Sequence, residues 1–270
     1  MVSRAAATPA HREWHRYTPG QRLIRFLSYL LVVAVAVWAI GDVDIIWPWF
    51  FDAPNAMADL FGRMVPPDFS RMDAIVAALL QTLNIATIAT VFAVLLSLPV
   101  AYIAAQNTTP NRACLWLGRF ILVSSRSVNT LIWALLFVAI FGPGVLAGIL
   151  AITFRSIGFL GKLIGEAIEE IDRKPVEAIE ATGASRGKVI LYAIVPQVVP
   201  TFFAVSILRW DINLRESTVL GLVGAGGIGL LLQGAIDTFQ WQTVAAILLA
   251  IIALVLVGEA VSGWLRRKVI

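Results

Sequence analysis

The chain has 270 residues, of which 59% are hydrophobic and 14% charged, with a mean hydropathy of +0.83 and a formal net charge of +4. Soluble domains carry about 25% charged residues, so a soluble globule is excluded: this much apolar surface needs a bilayer as its solvent. A positive balance in a soluble protein would raise nucleic acid as a partner, but many of the basic residues here flank apolar runs, which reads as membrane topology instead.

A helix needs ~20 mostly apolar residues to cross hydrocarbon. Six runs qualify, at about residues 23–41, 74–105, 116–141, 145–167, 190–212 and 241–264. The second exceeds one span and is expected to tilt or protrude, and polar residues interrupt the fourth and fifth. The first follows a basic stretch, but its apolar run from Leu23 to Ile40 is longer than the ~7–15 residues of a signal h-region and lacks a clear small-x-small cleavage site. It predicts a retained anchor. The chain then divides into a tail (1–22), a first span with an acidic loop (23–73) and a core domain (74–270).

Charge predicts orientation. The tail carries Arg4, Arg12, Arg16, Arg22 and Arg25 against Glu13, and the C-terminus ends Arg266-Arg267-Lys268. The loop after the first span carries Asp42, Asp44, Asp52, Asp59, Asp68 and Asp73 against Arg63 and Arg71. Positive charge marks the cytoplasmic face, so both termini and the loop at 168–189 are expected inside. In the acidic loop, Trp47, Trp49, Phe50 and Phe51 around Pro48 read as an interfacial aromatic belt. His11 and His15 are four apart, but the tail offers no third ligand, which argues against a metal site. Cys114 is the lone cysteine, so no intrachain disulfide is available.

Span two carries a polar stripe, Gln81, Thr82, Asn84, Thr87 and Thr90, which is either interhelical glue or pore lining. A charged side chain at the bilayer centre costs about 2.5–3.5 kcal/mol on insertion scales and usually faces a cavity or a partner. Arg126 lies among Ser124, Ser125 and Ser127 in span three, with Asn129, Thr130 and Trp133 expected on the same helix face. Arg155 interrupts span four, where Gly161 and Gly165 mark a packing face. Arg209, Asp211, Arg215 and Glu216 close span five, with Asp211 and Arg215 spaced to pair. Four cations against two carboxylates favour an anion in any wet cavity they line. Snorkelling or structural pairing is the alternative for each.

The segment 168–189 reads as two short helices. Pro175 suits a first turn, Glu177, Ala178, Glu180 and Ala181 propagate a helix, and Gly183-Ala184-Ser185 break it before Arg186 and Lys188. Such a block can dock on a partner as a rigid body; a solvated interhelical loop is the plainer reading. Further on, Gly224-Ala225-Gly226-Gly227-Ile228-Gly229 satisfies G-x-G-x-x-G but lacks the strand, helix and acidic context of a dinucleotide site. It reads instead as a broken, re-entrant element, with Ser217, Thr218 and the Gly226 and Gly227 amides available to an anion path, or as tight packing by small residues. No phosphate-binding G-x-x-x-x-G-K-[ST] is present, and none of Lys162, Lys174, Lys188 and Lys268 precedes Ser or Thr. Energy for pumping must come from another chain.

Glu177-Ala178, Gly183 six positions after the Glu, and Pro196 nineteen after it resemble the cytoplasmic "EAA" loop of ABC importer permeases, with Ile179 in place of the second Ala. From about residue 74 onward the chain resembles the permease subunit of phosphonate importers. The matching stretches are Arg126-Ser127-Val128 into Leu131–Val138, Glu177–Arg186, Val195-Pro196-Gln197, Arg209-Trp210 and Arg215–Gly229; methionine and osmolyte permeases share a similar core. Asn129 stands where that family has Pro.

The resemblance implies an all-α integral membrane protein of the type I importer permease fold. It implies ATPase coupling through Glu177, Ala178, Glu180, Gly183, Ala184, Ser185 and Pro196. It also implies a homodimeric permease in the inner membrane, two cytoplasmic ATPase subunits that carry the ATP and Mg, and a periplasmic or lipid-anchored binding protein. No cofactor is expected on this chain, and no enzyme activity. Phosphonate, phosphate or phosphite is the expected cargo. Arg126, Ser127, Arg209, Arg215, Ser217, Thr218, Gly226 and Gly227 are the expected path. Methionine or a quaternary amine is the alternative cargo; a passive channel or a membrane enzyme is a more distant reading.

Overall fold

The computed structural model describes residues 17–43 and 46–269, and every regular element among them is helical. His11, His15, Asp44 and most of the basic tail lie outside the described residues. The chain forms two compact units, residues 1–59 and 60–270.

In the first unit α1 (Pro19–Asp42) opens with Pro at its first position, and the Thr18 amide donates to Gln21 Oε1 at 3.1 Å. None of its residues is buried. A helix apolar on every side belongs against lipid or another protein. α2 (Trp47–Met64) starts in this unit and corrects the expectation of an open acidic loop: helix covers most of it, with Pro48 in the first turn, where a missing N–H costs nothing. Trp47, Trp49, Phe50 and Phe51 are all exposed on it.

The second unit is built on α3 (Met72–Ala104), whose 33 residues reach about 50 Å, well beyond the ~30 Å of hydrocarbon. Just before it, Asp68 accepts from the Ser70 amide and hydroxyl at 2.8 and 2.9 Å, which holds its carboxyl below the usual range. α3 lies along α6 (Val145–Glu169). Small residues at helical spacing line the seam: Ala86, Ala89, Ala93, Ser97 and Ala101 on α3 and, on α6, Gly161 and Gly165, which lie against Ser97 and Ala101. In lipid, where apolar burial gives little drive between helices, close backbone approach of this kind supplies the packing energy. A Cβ at Gly161 would sit 2.6 Å from Leu122 Cδ2, and one at Gly158 would sit 2.7 Å from Leu122 O. The expected packing face on span four is therefore real.

The third apolar run is not one helix. α4 (Arg112–Ser127) and α5 (Thr130–Phe141) meet at 91°. Val128 is extended, and Asn129 caps α5 by accepting from the Leu131 amide at 3.0 Å. The break occurs with Asn, as it would with Pro, because Asn at an N-cap satisfies an orphan helix donor. Arg126 consequently does not share a helix face with Asn129, Thr130 and Trp133.

The fifth run is longer than expected. A single helical rod, Arg186–Val223, passes through α8 (Arg186–Val189), a π turn (Ile190–Ile194), α9 (Val195–Leu220) and a 3₁₀ turn (Gly221–Val223). At the π turn the Val195 amide reaches back five residues to Ile190 O. Pro196 follows directly; it has no N–H and its ring crowds the carbonyl four residues earlier, and the wider turn accommodates it.

The glycine-rich stretch reverses the chain, with φ of +83°, +81° and +76° at Gly224, Gly226 and Gly227. Such angles favour glycine. α10 (Ile228–Asp237), ten residues and too short to cross a bilayer, follows, and then α11 (Trp241–Val269). α10 starts directly against the end of α9: a Cβ on Gly221 would lie 2.4 Å from Leu230 N, and one on Gly229 2.4 Å from Thr218 O. Gly221→Ala and Gly229→Ala are each expected to lower the thermal midpoint in detergent by roughly 3–10 °C, from an overpacking cost of about 1–3 kcal/mol. Gly234→Ala, with nothing within 4 Å of the added methyl, should leave it unchanged.

Candidate functional site

Two places carry the polar chemistry. The first is the block between α6 and α9. α7 (Arg173–Glu180) is capped by Asp172, whose carboxylate accepts from the Lys174 amide at 3.0 Å. Val176 packs against an apolar cluster containing Ile168, Ile194 and Val198, while Glu177, Ala178 and Glu180 face out. Gly183 ends the helix at φ +75°, with nothing within 4 Å of where a Cβ would stand. Ser185 then caps α8; Ala184 is half-buried beside it.

Both ends of this block are clamped. Gln197 Oε1 accepts from the Asp172 amide at 3.0 Å, and Gln197 Nε2 donates to Asp172 O at 3.3 Å and Ala193 O at 2.8 Å. At the other end Arg186 donates to Thr108 O at 2.7 Å, which ties α8 to the turn between α3 and α4. The block is thus a ledge with an exposed acidic face, fixed to α3 and α9, that can pass a push into both.

The second place is a polar network inside the helix bundle. Arg209 is 3% exposed; its Nε donates to Ser156 Oγ at 2.8 Å, and Ser156 donates to Asn213 Oδ1 at 3.1 Å. Asn213 Nδ2 donates to Thr90 Oγ1 at 2.8 Å, and Thr90 donates to Ala86 O at 2.6 Å. These bonds link α9, α6 and α3 with successive dipoles aligned, which strengthens each one. Glu216 lies on the open side of the network. Its Oε2 accepts from Thr130 Oγ1 at 2.7 Å and lies 3.4 Å from an Arg209 nitrogen, and its Oε1 lies 3.8 Å from Arg155 Nε. Arg155 also donates to Val128 O at 2.8 Å, against the end of α4, where a cation is favoured by the unsatisfied carbonyls. One carboxylate therefore faces two guanidiniums exactly where the third span breaks.

The expected path residues separate into two sets. Arg126, Ser127 and Arg215 are exposed, and Arg126 also borders a cavity of about 260 Å³ with Arg119, Lys162, Glu166 and Glu169. Arg215 pairs with Asp211 at 2.5 Å, as its spacing suggests. Arg209, Ser217, Thr218, Gly226 and Gly227 are buried. The Ser217 and Thr218 hydroxyls donate to Leu214 O and Arg215 O, and the Gly227 amide donates to Gln81 Oε1 at 3.0 Å. The Ser217 and Thr218 hydroxyls and the Gly227 amide thus each have a partner within the fold. Thr82, Thr87 and Thr90 on α3 also bond α9 or the start of α10, as interhelical glue would.

Reading the sequence by span missed Asn213 and gave no role to Ser156 beside Arg155, to Thr130 or to Glu216 as a hub. The signal is spacing on α9: Arg209, Asn213 and Glu216 fall at i, i+4 and i+7 on one face, whereas Asp211 and Arg215 share another. Among the described residues no group of three or more His, Cys, Asp or Glu could hold a metal ion.

Residues 97–270 match the family described as binding-protein-dependent transport system inner membrane component. The phosphite transport system permease protein PtxC of Stutzerimonas stutzeri is 44% identical over 236 residues, covering 87% of this chain and 85% of that one. The phosphate-import permease protein PhnE of Mycolicibacterium smegmatis is 37% identical over 254 residues, 92% of this chain and 47% of that one. Among solved structures, inward-facing conformations of the MetNI methionine ABC transporter superpose with a TM-score of 0.64 at 21% identity, over 75% of this chain and 99% of that one. The chain belongs to the binding-protein-dependent transport family of inner-membrane components. It is a multi-pass membrane permease of the ABC importer type, a class that works with an ATPase and a substrate-binding protein.

Trp133 Nε1 is buried with no acceptor. Trp133→Phe removes that unpaired donor together with part of a ring that packs 4.4 Å from the Phe154 ring, so relief of the donor offsets part of the packing loss and the thermal midpoint is expected to fall less than in Asn213→Leu. Asn213→Leu, which leaves the Ser156 hydroxyl without its acceptor while Thr90 keeps its bond to Ala86 O, should lower it by roughly 3–10 °C, from about 1–3 kcal/mol for the orphaned donor.

Proposed function

We propose that this permease imports phosphonate or a related phosphorus oxyanion, phosphate or phosphite, across the inner membrane, driven by ATP hydrolysis on a separate subunit. The observation that carries the cargo is the 44% identity, over most of both chains, to a phosphite permease. The charge carried by the spans supports it: Arg126, Arg155, Arg209 and Arg215 outnumber Asp211 and Glu216, and an aqueous passage with that balance favours anions. Methionine is favoured less, since likeness to its transporter at 21% identity is one of fold, and a quaternary amine would want an aromatic cage rather than guanidiniums.

In this reading both termini and residues 168–189 face the cytoplasm, as the flanking Lys and Arg suggest. Two copies of the chain and two ATPase subunits form the translocating unit, and a periplasmic or lipid-anchored binding protein delivers cargo. ATP and Mg belong to the ATPase. Glu177, Ala178, Glu180, Gly183, Ala184 and Ser185 form the ledge that docks on it. Motion of that ledge reaches α9 through the Asp172–Gln197 clamp, beside the π turn and Pro196, and reaches α3 through Arg186. Arg126, Ser127 and Arg215 present side chains to the passage, with Arg209, Ser217, Thr218, Gly226 and Gly227 shaping it from behind.

The test is ATP hydrolysis by the complex in liposomes, with binding protein loaded from a panel of solutes. Stimulation by phosphite, phosphate or a phosphonate is expected; stimulation only by methionine or an amine overturns the cargo. Glu177→Gln is expected to cut cargo uptake tenfold or more, leave ATP hydrolysis by the ATPase alone unchanged, and keep the order of preference among oxyanions. Undiminished uptake in that variant would remove Glu177 from the docking role.

A further inference from the structure

We propose that Glu216 is a resident counter-anion, and that Thr130, Arg155 and Arg209 around it form a seat for a tetrahedral oxyanion which displaces it during transport. The proposal rests on the anion-import reading and goes further by naming the groups that hold the cargo. The arrangement has three properties of an exchangeable seat.

The charges do not cancel. Two guanidiniums face one carboxylate, while Asp211 is already taken by Arg215. The cluster therefore keeps one positive charge, which attracts an anion even with Glu216 in place.

The carboxylate is held loosely by one arginine and more closely by its other partners. Arg209 Nη2 donates to Glu216 Oε2 at 3.4 Å and Arg155 Nε lies 3.8 Å from Oε1, both long and short of the bidentate geometry of a strong guanidinium–carboxylate pair. The short contact is the 2.7 Å bond from the Thr130 hydroxyl. A hydroxyl and two guanidiniums converging from α5, α6 and α9 match an oxyanion with several equivalent acceptor oxygens better than they match the two oxygens of a carboxylate.

The seat is also reachable and built on a fixed back wall. The Arg155 and Glu216 side chains keep 29% and 23% exposure, whereas Arg209 behind them is 3% exposed and anchored through Ser156 and Asn213. Glu216 can swing out while Arg209 stays in place. Because Arg155 also bonds Val128 O at the broken span, exchange of the anion acts on the α4–α5 break.

The experiment measures anion binding by the purified permease–ATPase complex without binding protein. The readout is the rise in thermal midpoint with sodium phosphate or phosphite, against sodium chloride at equal ionic strength. A ligand that binds only the folded state raises the midpoint with its concentration. Glu216→Gln removes the competing charge and should lower the concentration needed for half the maximal shift by about tenfold or more. Adding Arg155→Gln to that variant should abolish the gain. If Glu216→Gln does not assemble, Arg155→Gln alone reads the same seat: with one guanidinium gone, the concentration needed for half the maximal shift should rise by about tenfold or more. A purely structural carboxylate predicts something else: phosphate, phosphite and chloride equal in effect, with no tightening in Glu216→Gln and no weakening in Arg155→Gln. That result overturns the proposal.

Stimulation of the wild-type complex by loaded binding protein separates the two levels. Stimulation by phosphite with no tightening in Glu216→Gln and no weakening in Arg155→Gln removes the seat and leaves the importer reading intact. Tightening in Glu216→Gln, with stimulation only by methionine or an amine, removes the cargo and with it the seat's role in transport.

Discussion

Glu216 is the point on which the bundle's polar interior depends. Its carboxylate joins α9 to the start of α5 through Thr130 and stands against Arg155 on α6 and Arg209 on its own helix. A lone charge at this depth is costly, and each of these three would be stranded without the others. Arg209 in turn continues through Ser156 and Asn213 to Thr90 on α3. The helices α3, α6 and α9 are fastened at one level by a single connected set of polar groups, beside a span that is already broken.

The apolar framework serves the same end by different means. Along α3 and α6 small residues bring backbones together, and Gly158 and Gly161 admit Leu122 of α4. At the far end of α9, Gly221 and Gly229 let α10 cross at contact distance, while Gln81 and Thr82 take up the amides of Gly227 and Ile228. Tight seams of this kind move as bodies rather than deform. The ledge at Asp172–Ser185, clamped to α9 by Gln197 and to the α3–α4 turn by Arg186, is placed to move those bodies.

Much of this was legible in the sequence. The two short helices around Gly183, the packing at Gly161 and Gly165, the Asp211–Arg215 pair and the unbroken length of α3 follow from spacing and composition. The break at Val128–Asn129 does not, because apolar residues continue on both sides and Asn reads as a cap only once the helix beyond it is seen. The true end of α9 was hidden because Arg209, Asp211, Asn213, Arg215 and Glu216 lower its hydropathy, although most of them are paired within the fold. α2 was hidden by Pro48, Pro54 and its aspartates, which read as loop although Pro48 stands in a first turn. Hydropathy scores each side chain as if alone, so it fails where polar groups satisfy one another.

The anchoring role of Glu216 is open to one direct measurement: a double-mutant cycle on unfolding with Arg209→Gln and Glu216→Gln. If the two act as one unit, the second substitution costs little once the first is made, and the coupling energy exceeds about 1 kcal/mol. If the two losses add within about 0.5 kcal/mol, the residues are independent and the bundle is not fastened at this point.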